Sequence, residues 1–367
     1  MIETSFSPFW ASAPGNTIKT MAERCGLDDS GLASAFGWST DKVTALFDGK
    51  VRIDEKLAGA ISSEIGGTTN FWLAREEQYR QSLERLAALQ DEAQIRNWLN
   101  SIPVRDMTKF EWIDKYTHWK DKALACFTFF GVNSVEEWEE QYRKYGDVVA
   151  FRTSGKIETN PGAVAAWMRQ AELLTHHQKI ATWNEKKFWE SLPYVRKLTR
   201  RKDGVAILQE LKETCAACGV ALVVLPAPKG CAASGATKKL PGNRRLLLLS
   251  LRYKSDDQFW FTFFHEAGHL MLHDKEAFHI DGMDLYAGED QLEIEANAFA
   301  EDIICPASLR PKLYEAANNY KSVMRFAREV DIAPGLLVGQ LQHAGLISYK
   351  SMHFLKSKVI SEAAQRN

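Results

Sequence analysis

Apolar side chains recur along most of this chain at the three- and four-residue spacing of amphipathic helices, and strand-like runs are few. The pattern covers residues 1–85 as a series of short helices and continues through a tryptophan-rich stretch over residues 86–192. Two apolar runs, Val220–Leu225 and Leu246–Leu251, instead predict buried strands, and the small residues of Gly230–Thr237 between them predict a flexible loop. We therefore expect an α+β protein that is mostly helical and carries a small sheet.

One predicted helix, Phe259–His273, is apolar on nearly all sides and contains the sequence HEAGH, an instance of H-E-x-x-H. Its histidines, His265 and His269, are four residues apart, which places both imidazoles on one face of a helix, where they can bind the same metal ion. Glu266 lies beside the first histidine and can accept a proton from an activated water. The pattern predicts a dry zinc site in which Glu266 is catalytic. The alternative is a pair of histidines that only form hydrogen bonds in a core.

A third ligand is expected from a second helix, Leu292–Pro306, which ends near its proline. Glu293 and Asn297 lie four residues apart and share a face of that helix. Glu293 would complete a His2Glu zinc site with an open fourth position, and Asn297 would orient one of the ligands by a hydrogen bond. Glu295 is the competing carboxylate, although its position directs it to a different face.

These residues resemble the ImmA/IrrE family of zinc metallopeptidases, whose pattern is matched by the segments HEAGHLMLH, EIEANAFA and IICP. The matching residues are His265, Glu266, His269, His273, Glu293, Ala296, Asn297, Phe299, Ala300 and Pro306. Cys305 stands where the family usually has an apolar residue, and the family's trailing histidine, here His273, is not generally a ligand. The resemblance implies a zincin-like endopeptidase of the gluzincin type, a Zn²⁺ cofactor and a protein substrate that is itself a regulator, such as a repressor or antitoxin.

Peptide hydrolysis also needs a group that stabilises the oxyanion of the tetrahedral intermediate, and three residues are candidates for that role. They are His279, Tyr286 and His343, the last of which falls in a predicted helix, Pro334–Gly345. An ordinary surface or core role would also account for each of them.

The first 85 residues show the pattern of a helix-turn-helix domain, because Asp28 and Ser39 are predicted to begin successive helices with Gly37 in the turn between them. The segment resembles the Xre/HigA-type domain of antitoxins and phage repressors. The matching residues are Pro14, Gly15, Leu32, Ala33, Phe36, Gly37, Ser39, Val43, Leu46, Gly49, Lys50, Ile53, Phe71 and Trp72. The resemblance implies a homodimer that binds double-stranded DNA.

If this domain binds DNA, the residues facing the major groove would be Thr40, Lys42 and Thr44, and those near phosphates would be Lys50 and Arg52. Its nine basic and twelve acidic side chains do not supply the positive surface that DNA binding usually requires. A role in dimerisation or partner binding is the alternative.

The chain of 367 residues is long for one domain. We expect a helix-turn-helix domain at 1–85, a helical connecting region at 86–192, a metallopeptidase domain at 193–310 and a small helical cap at 311–367. The net charge of −1 gives no overall bias towards nucleic acid or membranes. The N-terminus lacks a signal-peptide pattern, and no apolar run approaches the roughly 20 residues of a membrane span, so a cytoplasmic protein is expected.

Two smaller features leave alternatives open. Cys215 and Cys218 form the sequence CAAC, which is typical of a redox pair or half of a metal site, but buried thiols at the end of a helix explain it as well. The basic run Arg196–Lys202 could contact nucleic acid or an acidic substrate, whereas most charge runs are solvated helix faces.

Two functions compete on these grounds. The first is a zinc endopeptidase that cleaves a regulatory protein, with the N-terminal domain binding DNA or a partner. The second is a HigA-like transcriptional regulator or antitoxin whose zinc domain is structural or sensory. Glu266 favours the enzyme, because a structural metal site does not need a general base.

Overall fold

A computed structural model describes residues 13–88, 92–142, 160–176, 178–251, 255–273, 278–282 and 291–358. They fall into two compact units, one within Met1–Asn100 and Ile113–Gln141 and the other within Ser101–Trp112 and Tyr142–Asn367. The described part of the chain is mostly helical with a small mixed sheet, so the predicted α+β class is confirmed. None of its helices combines the length and apolarity needed to cross a membrane.

The first unit is built from helices. They are α1 (Pro14–Arg24), α2 (Asp29–Phe36), α3 (Thr40–Phe47), α4 (Glu55–Ile65), α5 (Thr69–Ala88), α6 (Glu92–Ser101), α8 (Trp119–Phe130) and α9 (described over residues 135–142); the last residues of α6 and α9 belong to the second unit. Asp28 and Ser39 cap α2 and α3 by accepting hydrogen bonds from the backbone N–H groups of Gly31 and Lys42, as predicted. Gly37 ends α2 with a φ of 65°, a conformation that glycine adopts without strain.

The core of this unit joins α1 to α5 through fully buried side chains such as Ile18, Val43, Ile61 and Trp72. Helix α5 continues without interruption through residue 85, where the sequence pattern predicts a domain boundary. The four predicted regions remain predictions.

The second unit contains the sheet and the helices packed on it. Its helices are α7 (Val104–Lys109), α10 (Pro161–Thr175), α11 (Glu185–Leu198), α12 (Gly204–Ala217), α13 (Asp256–Leu272), α14 (Gln291–Ile304), α15 (Arg310–Glu315), α16 (Tyr320–Glu329) and α17 (Pro334–His343). Its strands are β1 (Val220–Leu225), β2 (Ala233–Leu240), β3 (Arg244–Ser250) and β4 (Phe278–Gly282). The strand order is β1-β3-β2-β4, with β1 parallel to β3 and β2 antiparallel to both β3 and β4.

The prediction of a flexible loop at Gly230–Thr237 is wrong, because strand β2 begins at Ala233 and lies inside the sheet. Its first five residues are buried although none is larger than threonine. Small side chains carry little strand signal in a sequence, yet they let α13 pack closely against β2 and β3. Strand β4 was not predicted at all.

Helix α13 lies at the centre of the second unit. Leu247 and Leu249 of β3 share a buried core with Trp260, Phe263 and Phe264 of α13. The alternate residues of β3 are also buried, on the other face of the sheet, where α10 packs. An apolar helix surrounded by β2, β3, α14 and α17 excludes water from the polar groups that it carries.

Candidate functional site

The site forms where α13 and α14 pack closely together. Gly268 of the HEAGH segment permits this approach, since a β-carbon added there would lie 3.2 Å from Cα of Ala296 and 3.2 Å from Cβ of Phe299. Both separations are tighter than ordinary van der Waals contact. The short distance between the helices brings the carboxylate of Glu293, on α14, to the histidines of α13.

His265, His269 and Glu293 form the one group of potential metal ligands found among the described residues. The two Nε2 atoms of His265 and His269 are 3.0 Å apart. The Glu293 oxygens lie 3.2 Å from Nε2 of His265 and 3.6 Å from Nε2 of His269. Ligands about 2.0–2.2 Å from a tetrahedral zinc ion are separated by about 3.3–3.6 Å, so these atoms are spaced closely enough to share one ion. Glu293, rather than Glu295, is the carboxylate in this group.

Hydrogen bonds on the far side of the imidazoles direct Nε2 of His265 towards Glu293. Nδ1 of His265 lies 2.9 Å from Oδ1 of Asn297, and a carboxamide oxygen can only accept, so Nδ1 carries the proton. In the neutral ring Nε2 then holds a lone pair. A ring nitrogen with a lone pair facing a carboxylate is a donor set that fits a divalent cation. Asn297 makes the contact that an orienting role requires.

The electrostatics of Glu293 fit the same interpretation. Burial by itself raises the pKa of this carboxyl, but without an ion His265 and His269 can be protonated at Nε2, and their hydrogen bonds and charge then outweigh burial and hold the pKa well below its usual range. Glu293 is therefore ionised at neutral pH, which a carboxylate ligand must be.

Glu266 lies fully buried beside this group without belonging to it. Its carboxylate packs against the backbone of β2 at Gly235, where an added β-carbon would lie 2.7 Å from both Cγ and Cδ of Glu266. The ladder between β2 and β4 is irregular at the same place, between Ala233 and Ala236. Only glycine at position 235 leaves room for the Glu266 side chain as it stands. Sequence reasoning did not identify this contact, because Gly235 and Glu266 lie far apart in the chain.

The comparison with protein families agrees with this geometry. Residues 219–331 match the IrrE N-terminal-like domain of the peptidase M78 family. The match includes β1 to β4 and helices α13 and α14, and so it contains every member of the His265–His269–Glu293 group. This similarity supports a metallopeptidase-type function, which implies a metal cofactor and a protein substrate. No curated protein matches the chain.

Within residues 219–331, two candidates for oxyanion stabilisation lie outside what the structure describes, namely Tyr286 and the side chain of His279. The third, His343, lies beyond the matched segment on α17, where its Nε2 is 3.8 Å from Oε1 of Glu301. Glu301 is eight residues beyond Glu293 on α14, about 12 Å along a helix axis. The position of His343 gives its predicted role no support.

The sequence analysis named His273 only as the trailing histidine of the HEAGHLMLH segment and did not predict its contacts. His273, at the end of α13, is buried, and its Nδ1 is 3.1 Å from Nδ1 of His269. Its Nε2 is 3.0 Å from Oε2 of Glu295. The sequence contained a signal for this contact, since His273 follows His269 at the same four-residue spacing that separates His269 from His265.

The residues predicted to contact DNA lie in the other unit, outside the matched segment, and all of them are exposed: Thr40, Lys42, Thr44, Lys50 and Arg52. Several already have local partners. The Lys42 ammonium is 4.0 Å from the centroid of the Trp38 ring, and Lys50 is 2.9 Å from the carboxylate of Asp48. The Thr44 hydroxyl donates a hydrogen bond to the backbone oxygen of Thr40. DNA binding and dimerisation remain predictions.

Proposed function

We propose that this protein is a zinc-dependent endopeptidase that cleaves a regulatory protein. The observation that carries the proposal is the buried carboxylate of Glu266, which accompanies the three ligands without being one of them. Burying an additional ionisable group is costly, and a metal site that only stabilises the fold needs none. A general base adjacent to the metal accounts for it.

The chain's own residues have distinct roles in this proposal. His265, His269 and Glu293 would hold the ion, and Asn297 would keep the His265 ring in the orientation that binding requires. A zinc ion held there would supply Lewis acidity to water and to the scissile carbonyl. The Glu266 carboxylate accepts a proton from the attacking water and then delivers it to the nitrogen of the leaving amine.

The edge of the sheet supports a peptide substrate. Strand β4 is the outer strand next to β2, the strand that contacts Glu266. An extended segment pairing with the edge of β4 that no other described strand covers would gain backbone hydrogen bonds close to the general base. An extended or locally unfolded protein segment therefore suits this edge. We propose a repressor or an antitoxin-like protein as the substrate. This choice follows from the resemblance of residues 1–85 to the Xre/HigA-type domain and of the metal-binding segments to the ImmA/IrrE family.

The N-terminal unit is proposed to bind double-stranded DNA or the substrate protein, as a homodimer. Two short capped helices joined by Gly37, with exposed Thr40 and Arg52 beyond the turn, support this role. The competing function is a transcriptional regulator or antitoxin in which the metal only stabilises or senses. In that case Glu266 would have no role in function.

Replacing Glu266 by glutamine separates the two functions. The amide has nearly the same volume but cannot accept the proton, so cleavage of a co-expressed candidate regulator should fall by about 100-fold or more, the usual scale of general-base loss. Zinc content should remain that of the wild type, because Glu266 is not a ligand.

The matched control is Glu301→Gln, which neutralises a carboxylate elsewhere on α14 and should leave cleavage unchanged. Equal cleavage by wild type and Glu266→Gln would refute the peptidase and leave the regulator as the function.

A further inference from the structure

We propose that His273 and Glu295 are positioning residues that hold His269 in the tautomer and orientation needed to bind the metal. The inference rests on the proposed metal site and extends it by two residues that touch no ion themselves. It assigns a function to the trailing histidine of the HEAGHLMLH segment and to the carboxylate that competes with Glu293 in the sequence.

A continuous chain of hydrogen bonds connects Glu295 to the metal group. Oε2 of Glu295 is 3.0 Å from Nε2 of His273, and Nδ1 of His273 is 3.1 Å from Nδ1 of His269. Nε2 of His269 then faces Nε2 of His265 and the Glu293 carboxylate. The other oxygen of Glu295 accepts a hydrogen bond at 2.7 Å from Nε2 of Gln291, which fixes the plane of the carboxylate.

The position of each proton in this series of hydrogen bonds follows from the carboxylate of Glu295. An ionised carboxylate only accepts, so Nε2 of His273 carries a proton and donates it to Glu295. Nδ1 of a neutral His273 is then an acceptor, and the proton between the two Nδ1 atoms belongs to His269. With Nδ1 protonated, Nε2 of His269 holds the lone pair that a metal ligand needs.

The two histidine ligands are therefore oriented by different partners. Asn297 reaches Nδ1 of His265 from α14, whereas His273 reaches Nδ1 of His269 from the end of α13 itself. His273 is buried, and Glu295 is partly exposed, so the series of hydrogen bonds ends at a carboxylate that water can reach.

The test measures zinc affinity in the full-length protein by competition with a chromophoric chelator. Glu295→Ala and His273→Phe, the latter chosen to fill the buried space without an acceptor, should each weaken zinc binding by about 10-fold or more, the usual effect of removing such a partner. Glu301→Ala is the control for charge, since it removes a carboxylate from the same helix, and it should change the affinity by less than about 2-fold. Thermal melting of the zinc-free proteins should show that each variant is folded.

A double variant tests whether Glu295 affects zinc binding through His273. If Glu295 acts through His273, adding Glu295→Ala to His273→Phe should cause no further loss of affinity, because coupled residues are not additive. Nitrogen-15 spectra of the zinc-loaded wild type should show a proton on Nδ1 of His269. Multiplicative losses in the double variant, or an unchanged affinity in Glu295→Ala, would overturn this inference and leave the proposed peptidase intact. A wild type that binds no zinc would overturn both.

Discussion

The contact between Gly235 and Glu266 leads to a prediction about a residue that takes no part in the chemistry. Gly235 has no positive φ, so alanine can adopt its backbone conformation and only the added methyl group matters. That methyl would lie 2.7 Å from Cγ and Cδ of Glu266, whereas carbon atoms in contact are normally about 3.5–4.0 Å apart. The carboxylate or the strand must move by roughly 0.8 Å or more to make room.

This displacement has two measurable effects. Overpacking a buried site typically costs about 1–3 kcal/mol of unfolding free energy, which corresponds to roughly 2–4 °C in melting temperature for each kcal/mol in a domain of this size. A shift of about 1 Å in a general base can lower the catalytic rate by about 100-fold. We therefore expect Gly235→Ala to bind zinc normally, melt at a lower temperature and cleave its substrate very slowly.

Calorimetry, metal analysis and the cleavage assay test the three parts of this expectation. The control is Gly59→Ala in α4, where an added β-carbon has no neighbour within 4 Å, and which should melt at the wild-type temperature or slightly above it. Adding Glu266→Asp to Gly235→Ala should recover part of the lost stability, because the shorter side chain vacates the contact. Wild-type melting and cleavage in Gly235→Ala would refute the steric reasoning.

Three further predictions follow from the metal group and the N-terminal unit. His265→Ala should contain about one equivalent of zinc less than the wild type in elemental analysis, since it removes one of three ligands; equal contents would exclude this site. Removing zinc with a chelator should lower the melting temperature of the second unit, because an ion that is present at 1,000 times its dissociation constant stabilises the native state by about 4 kcal/mol; an unchanged melting curve would contradict binding. Light scattering should show a dimer for the full chain and a monomer after deletion of residues 1–85, whereas a full-length monomer would count against dimerisation.

The candidate metal ligands could be predicted from their spacing in the sequence alone. A four-residue separation on a helix places side chains on one face whatever surrounds the helix, which is why His265, His269 and the pair Glu293 and Asn297 could be named in advance. Helix caps at Asp28 and Ser39 were predictable for the same reason, because a cap depends on only a few neighbouring residues.

Tertiary structure decided what the other polar segments do. In the basic run, Arg196 donates hydrogen bonds to the backbone oxygens of Ile303 and Ile304 at the end of α14. Arg200 and Arg201 form ion pairs with Asp331 and Glu210. These arginines are thus engaged within the unit, which the spacing of their charges did not reveal, since each partner lies on another segment.

For the cysteines, too, the sequence pattern alone did not determine the role. Cys215 and Cys218 are free thiols buried in the core around α13, and burial raises the pKa of both, which disfavours the reactive thiolate. The sequence CAAC alone favoured inert packing at a helix end but left a redox pair open.

Strand β2 and its neighbour Glu266 show the difference between what the sequence determines and what the tertiary structure determines. Alanine and glycine are both depleted in strands, so Ala233–Leu240 becomes a strand only because β3 and β4 pair with it and α13 covers it. The sequence determined which side chains can hold a metal and accept a proton, because those properties belong to the residues and their helical spacing. The tertiary structure alone decided that α14 packs close enough to α13 for Glu293 to reach the two ligand histidines, that Gly235 makes room for Glu266, and that Glu295 contacts His273, because each depends on the distance between segments that are separate in the chain.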